Sequence, residues 1–360
     1  GIRTAEGLAP LLGWSPEETA RRAEVARRFP MLITPYYLSL VDPKDPRDPI
    51  GRMCIPSLDE FDPGGSFDTS GEESNTKLEG LQHKYAQTVL LLSSNQCAMY
   101  CRHCFRKRMV GLSEDELNRR VDEAVSYVKS HESVTNILIT GGDAFMNANE
   151  IIGRYLSELT AIDRLDFIRF GSRIPVTLPE RIYGDQEFLD MFAHYAQKKA
   201  LYLVTQFNHP RELTPQAVRA LRAMIQRGVQ VRNQTVLLRG VNDSGQVLGE
   251  LLSRLTRVGV VPYYVFQCRP VTGVKDRFQV PIEEGIRIVD AAKARQNGFG
   301  KSIRYAMSHP RGKIEILCRL PSGETVFKFH QSKDDADNAR PFTRTLSPSD
   351  TWLDEELNGI

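Results

Sequence analysis

Gln96-Cys97-Ala98-Met99-Tyr100-Cys101-Arg102-His103-Cys104-Phe105 places three cysteines within eight residues. Gaps of three and two residues let one short loop bring three thiolates to a soft-metal centre, and thiolates select zinc, copper(I) or an iron–sulfur cluster. Three ligands are one short of a closed site. The remaining coordination place would stay open to a small molecule, as it does at a catalytic zinc. A structural zinc closed by His103 or by a more distant ligand is the competing reading, together with unrelated buried thiols.

The surroundings of this loop set the fold. Strand-like runs occur at Thr88 to Leu92, Asn136 to Thr140, Phe167 to Phe170, Leu201 to Thr205, Val229 to Val236 and Val260 to Phe266, with a helical pattern after each. Helix starts at Ser113 with Glu116 and at Thr214-Pro215 support the alternation. Six strands alternating with helices predict an α/β fold with a parallel sheet, open or rolled into a partial barrel. Upstream, Ser15-Pro16-Glu17-Glu18 is a capping box that predicts a helix from Pro16 to Arg28. Asp42 to Thr76, rich in proline and glycine, reads as an irregular covering segment. After Ser302 to Met307 the pattern changes to a hairpin of Ile314 to Cys318 and Thr325 to His330, turning at Pro321-Ser322-Gly323, and a polar tail from Lys333 is expected to wrap or to pack loosely. The expected division is a covering segment at 1–80, a partial barrel at 81–312, and a hairpin with its tail at 313–360.

Composition narrows the function. The 360 residues include 47 basic and 45 acidic side chains, a formal charge of +2, which gives no electrostatic case for nucleic acid or for a membrane surface. No apolar run reaches a membrane span and Gly1 to Pro10 has no signal-peptide core, so a cytoplasmic location is expected. Cys54, Cys268 and Cys318 are scattered and read as small hydrophobes.

The unusual residues fall where strands end. Beyond the cysteine loop these are Gly141-Gly142-Asp143, Gly171-Ser172-Arg173, Gln206-Phe207-Asn208-His209, Asn233-Gln234 and Gln267-Cys268-Arg269. In parallel α/β folds the carboxyl ends of the strands converge on one face, so six such segments predict one mouth.

Cys97-x3-Cys101-x2-Cys104 resembles the cluster loop of radical S-adenosylmethionine (SAM) enzymes, and the run from Cys97 to Arg108 resembles the lysine 2,3-aminomutase family in particular. Gly141-Gly142-Asp143, Gly171 to Pro175, Phe207 to Pro210, Leu237 to Asp243 and Pro262-Tyr263-Tyr264 are similar to blocks of that family in the same order, over about residues 80–315. The resemblance implies a partial (β/α)6 barrel of TIM-like, radical SAM type, with a 4Fe–4S cluster, SAM and pyridoxal 5'-phosphate (PLP). It assigns the cluster to Cys97, Cys101 and Cys104, SAM contacts to Asp143, Ser172, Arg173 and Gln234, and the Schiff-base role to Lys313. An amine reacts with an aldehyde only when unprotonated, so the pKa of Lys313 should be lowered by its site. Lys84 and Tyr85 match positions that hold the PLP phosphate, and Arg106 matches the clamp on the substrate carboxylate. The implied activity is migration of an amino group from Cα to Cβ of an amino acid. An electron donor such as flavodoxin or ferredoxin would reduce the cluster. The same cofactors also serve epimerisation, elimination and carbon–carbon cleavage.

Departures from the family bear on substrate and assembly. Thr88 stands where the family has an arginine, and the glycine-rich stretch before the lysine is reduced to Gly312. Lysine-specific members place an aspartate after the Tyr-Tyr strand and another before the lysine; this chain has Arg269 and Ala306. A cation repels a cationic side chain, so the substrate is expected to be anionic or neutral polar, glutamate being the simplest case, with Arg269 as a contact. Ser244 follows Asn242-Asp243 and no cysteine lies beyond Cys318, so the family's intersubunit zinc is not expected. The N-terminal helix and the tail are segments through which a homo-oligomer could still assemble without it.

Overall fold

A computed structural model describes residues 1–111 and 121–360. The helix start expected at Ser113 and Glu116 lies outside the described residues. Twelve strands form one sheet in chain order: β1 (Thr76–Leu78), β2 (Leu81–Tyr85), β3 (Thr88–Ser94), β4 (Asn136–Gly141), β5 (Phe167–Gly171), β6 (Ala200–Thr205), β7 (Gln230–Leu237), β8 (Val261–Gln267), β9 (Arg304–His309), β10 (Gly312–Arg319), β11 (Glu324–Ser332) and β12 (Pro341–Thr345). All six strands read from the sequence are present and run parallel as β3 to β8. β9 adds a seventh parallel strand, with Tyr264 opposite Arg304. Antiparallel pairs flank this array: β1 and β2 on one side, β10 to β12 on the other. The sheet is curled, for Lys84 at the end of β2 donates to the carbonyl of His309 at the end of β9 at 2.6 Å.

Local chemistry fixes the helices. Ser15 Oγ accepts from the amide of Glu18 at 3.1 Å and starts the helix Pro16–Arg28, with proline in the first turn where its missing N–H costs nothing. Thr214 caps Pro215–Gln226 in the same way, through the amide of Ala217. That helix buries Ala217, Ala220, Leu221 and Met224, the spacing of a single face, against the sheet-centred core. Such packing keeps the strand ends at fixed positions; Leu221→Ala would cost roughly 2–5 kcal/mol.

The expected hairpin forms between β10 and β11, closed by the amide of Gly323 donating to the carbonyl of Leu320. The boundary expected at 312/313 falls within β10. Loose packing of the tail is corrected by the structure. β12 pairs with β11, and Trp352, Leu353 and Leu357 are buried in a second core with Phe327 and Phe329. These few apolar residues, spaced among polar ones, are enough to anchor the segment by burial. No helix among the described residues is long and apolar enough to cross a membrane.

Candidate active site

The cysteine loop leaves β3 and is tied to the N-terminal segment. Its backbone donates from Tyr100 to Leu32 and from Arg102 to Met53. Arg102 is fully buried, donating to Glu60 through Nε and Nη2 (2.9 and 2.5 Å) and to the carbonyls of Pro30 and Phe29. Lys107 donates to the same carboxylate at 2.6 Å. Burial works to raise the pKa of Glu60, and Arg102, Lys107 and Arg277 outweigh it, holding it at about 2. The segment that looked like an irregular cover therefore supplies the counter-charge of the basic run. Nothing in the spacing of Glu60 signalled this.

Gly141 and Gly142 permit the next close approach. Gly141 has φ 122°, and a Cβ on Gly142 would lie 2.4 Å from the carbonyl oxygen of Gln96. The end of β4 thus lies against the cysteine loop, and the amide of Asp143 donates to Gln96 at 2.8 Å. Asp143 is buried; burial raises its pKa, while the amides of Phe145 (3.0 Å) and Arg173 (2.7 Å) favour the ionised form. Arg173 reaches the loop itself, with Nη1 2.6 Å from Cys101 Sγ, Nε donating to the carbonyl of Gln206 and Nη2 2.7 Å from Glu212. Glu212 also accepts from Tyr37 and from the amides of Asn208 and His209, a junction the sequence did not reveal.

These loops enclose a cavity of about 530 Å³. The twelve residues named as site candidates all line it: the three cysteines, Asp143, Ser172, Arg173, Gln234, Lys84, Tyr85, Arg106, Arg269 and Lys313. Lys313 extends from β10 with Nζ 4.4 Å from the centroid of the Tyr264 ring. A Cβ on the preceding Gly312 would lie 2.3 Å from the carbonyl oxygen of Gln331, so this glycine sets how closely β10 meets β11. Burial first, then Arg169, Arg269 and Arg304, lower the pKa of Lys313 to about 7. Lys84 is also lowered to about 7, by burial and then Arg269, Lys333 and Lys313. Ala306, which stands where lysine-specific members have an aspartate, is buried on β9 and does not line the cavity; Ser308, opposite Lys313 in the β9–β10 register, does.

Arg106 and Arg269 occupy another wall. Arg106 donates through Nε and Nη2 to Glu72 Oε1 (3.1 and 2.9 Å), and Arg108 holds Oε2 at 2.8 Å. Arg269 donates to Ser70 Oγ at 2.8 Å and lies 4.0 Å from the centroid of the Phe105 ring. Burial opposes ionisation of Glu72, but Arg106, Arg269 and Arg108 hold its pKa at about 2. Glu72 is the cavity carboxylate the sequence reading missed, in a glycine- and serine-rich stretch with no pattern around it.

The donor set suits a cluster better than a single ion. All three cysteines are free of disulfides and face the cavity. Among the described residues no group of three or more His, Cys, Asp or Glu side chains is arranged to hold one metal ion. In a cluster each thiolate binds a different iron, so its ligands stand apart. His103 does not close a zinc site. Its Nε2 faces two amide donors, Gln206 Nε2 and Asn208 Nδ2, both at 3.2 Å, and burial, Arg173, Lys107 and Arg277 depress its pKa, so it accepts as a neutral ring.

A parallel barrel with a three-cysteine loop at its mouth defines a radical SAM protein, and residues 91–251 match the family model of the Radical SAM superfamily. The chain is 38% identical over 343 residues to a putative L-lysine 2,3-aminomutase of Aquifex aeolicus, covering 94% of this chain and 91% of the relative. It is 37% identical to the L-lysine 2,3-aminomutase of Clostridium subterminale (83% and 71% covered) and 33% identical to the glutamate 2,3-aminomutase of Clostridioides difficile (86% and 73%). The chain belongs to the lysine 2,3-aminomutase family of radical SAM enzymes. It is an isomerase of the aminomutase type, in a family whose cofactors are a 4Fe–4S cluster, SAM and PLP.

Proposed function

We propose that this enzyme is a PLP-dependent 2,3-aminomutase for an amino acid with an anionic or neutral polar side chain, a dicarboxylic amino acid such as glutamate being the best fit. The observation that carries the substrate class is the charge of the cavity. Arg106 and Arg269 both lie within 5 Å of the centroid of Phe105, whereas the cavity carboxylates Glu72 and Asp143 are already engaged by guanidinium and amide donors. A cationic side chain would find no free carboxylate among the described lining residues. Two guanidiniums suit two carboxylates.

Cys97, Cys101 and Cys104 would hold the cluster, and Asp143, Ser172, Arg173 and Gln234 would orient SAM beside it. When bound, these groups supply a carbon-centred radical, and PLP supplies the conjugated system that lets nitrogen pass between adjacent carbons. Lys313, poised near neutrality, would present an unprotonated amine to the cofactor aldehyde. Lys84 and Tyr85 would contact the phosphate. Arg106 would fix the α-carboxylate and Arg269 the distal one, while the enclosing loops keep water from the radical.

The test is incubation of reduced, cluster-reconstituted enzyme with SAM, PLP and single amino acids, followed by NMR for β-amino products. Glutamate is expected to give 3-aminoglutarate. Turnover of lysine but not of glutamate would overturn the substrate class, and deoxyadenosine formed without a β-amino product would overturn amino migration.

A further inference from the structure

Arg169 is a guanidinium of the cavity to which the site described above gives no part. It projects from β5 and lines the cavity, and its Nη2 donates to Asn136 Oδ1 at 2.5 Å. Its Nε is buried with no partner. The other cavity guanidiniums differ: Arg106 is paired with Glu72, Arg173 with Glu212, and Arg269 faces Glu72. Arg169 forms no ion pair with a described carboxylate. Burial depresses its pKa, with Tyr263 and Tyr264 acting the other way. A desolvated charge without a counter-ion costs several kcal/mol, so this arrangement is suited to an anion that arrives from outside.

Its neighbours indicate which anion. Asn136, which receives Arg169, also donates to Thr88 Oγ1 at 3.1 Å, so β3, β4 and β5 carry a continuous Thr88–Asn136–Arg169 chain on the cavity floor. Thr88 is the position where the resemblance expects a cation and this chain has none. Lys84 cannot make up the loss alone. Its ammonium donates to the carbonyls of His309 (2.6 Å) and Ser70 (3.3 Å), and near neutral pH it is only partly charged. Tyr85, whose pKa is raised by burial, is a neutral donor. Tyr85 is the register partner of Thr88 across the β2–β3 turn, so the Thr88–Asn136–Arg169 chain starts beside Tyr85, and Arg169 lines the same cavity as Lys313.

We propose that Arg169 binds the phosphate of the pyridoxal cofactor, placing on β5 the charge that Thr88 does not provide on β3. The proposal rests on the reading of Lys313 as the PLP lysine. Asn136 positions the guanidinium through Nη2, which leaves the rest of its cavity-facing edge for the phosphate oxygens. Guanidinium and phosphate pair through two parallel N–H···O bonds, which a lysine cannot reproduce.

Titration of the full-length, cluster-reconstituted protein with PLP and, separately, with pyridoxal tests this, with the imine absorbance band as readout. The ratio of the pyridoxal dissociation constant to that of PLP isolates the phosphate contribution without using turnover. Arg169→Gln is expected to lower that ratio at least tenfold with the cluster spectrum intact, and Arg169→Lys to recover part of it. Should the glutamine variant fail to fold, Asn136→Ala and Arg169→Lys serve instead, each expected to lower the ratio severalfold. An unchanged ratio overturns the proposal, as does a raised KM for the amino acid with unchanged PLP binding, which would give Arg169 to the substrate. If the wild-type protein forms an imine with neither aldehyde, the reading of Lys313 fails and the phosphate assignment falls with it; an imine that forms equally well in wild type and Arg169→Gln removes only the latter.

Discussion

Arg106 and Arg269 flank one aromatic ring, their guanidinium carbons 4.6 and 4.0 Å from the centroid of Phe105. Glu72 offsets one of these charges and leaves the wall net positive. A dicarboxylic substrate would bring its second carboxylate to Arg269. A charge-assisted hydrogen bond is worth about 1.5–3 kcal/mol. Arg269→Gln is therefore expected to raise KM for that substrate roughly ten- to hundredfold with kcat little altered, the pattern of binding energy shared by ground and transition states. Steady-state kinetics followed by product NMR checks this, and equal falls in kcat and kcat/KM would mean that Arg269 acts in the chemical step.

Glu60 fastens the cluster loop from outside it. It accepts from both Arg102 and Lys107, and all three side chains are buried. Removing one partner of a buried ion pair strands the other charges, a loss of roughly 3–5 kcal/mol. Glu60→Ala should lower the melting temperature by that equivalent and reduce the iron bound per chain, measured by calorimetry and iron assay. The pH dependence has a definite sign. The folded pKa of about 2 lies below the ordinary 4.5, so the contribution is complete above 4.5 and is lost as pH falls towards 2. The stability gap between wild type and Glu60→Gln should close across that window.

Much of this site is readable in the chain because its parts are local. Cys97 to Cys104 is one loop, and Gly141-Gly142-Asp143 and Gly171-Ser172-Arg173 each follow a strand whose alternation is plain. What escaped the sequence was decided by register or by distance. Ser308 and Ala306 share a face of β9, and Ser308 alone lines the cavity because it stands opposite Lys313, whereas Ala306 stands two residues away, opposite Glu315. Glu60, Glu72 and Glu212 each meet arginines 34 to 42 residues away in the chain. A lone glutamate in an irregular segment carries no periodic signal, and only the fold reveals what it neutralises. The tail follows the same logic: Leu346, Trp352, Leu353 and Leu357, four apolar residues in a polar stretch, dock it, and polarity alone suggested looseness.

Gly312 is a geometric requirement for Lys313. A Cβ there would approach the carbonyl oxygen of Gln331 to 2.3 Å and Ser332 Cα to 2.9 Å, backbone atoms that cannot rotate away. Gly312→Ala should force β10 from β11 at a cost of about 1–3 kcal/mol and displace the lysine. The expected result is a melting temperature lower by several degrees and PLP affinity reduced at least tenfold, read from the imine band. An unchanged affinity would mean that the lysine tolerates movement of its strand.

Lys313 gives a pH signature that an exposed lysine would not. With its pKa lowered from 10.5 to about 7 by burial and by Arg169, Arg269 and Arg304, half of it is neutral near pH 7, about three orders of magnitude more than for an ordinary lysine. The rate of imine formation with PLP should climb tenfold per pH unit below about 7 and level off above it, as followed by stopped-flow absorbance. A rate that keeps climbing to pH 10 would show the lysine to be ordinary. Stability responds in a related sense. Between about 7 and 10.5 the unfolded chain holds a proton on this lysine that the folded chain does not, so stability of the PLP-free protein rises with pH across that interval. Lys313→Met should reduce that rise, Lys84 supplying a share of it over the same interval, and abolish the imine band while leaving the cluster spectrum in place.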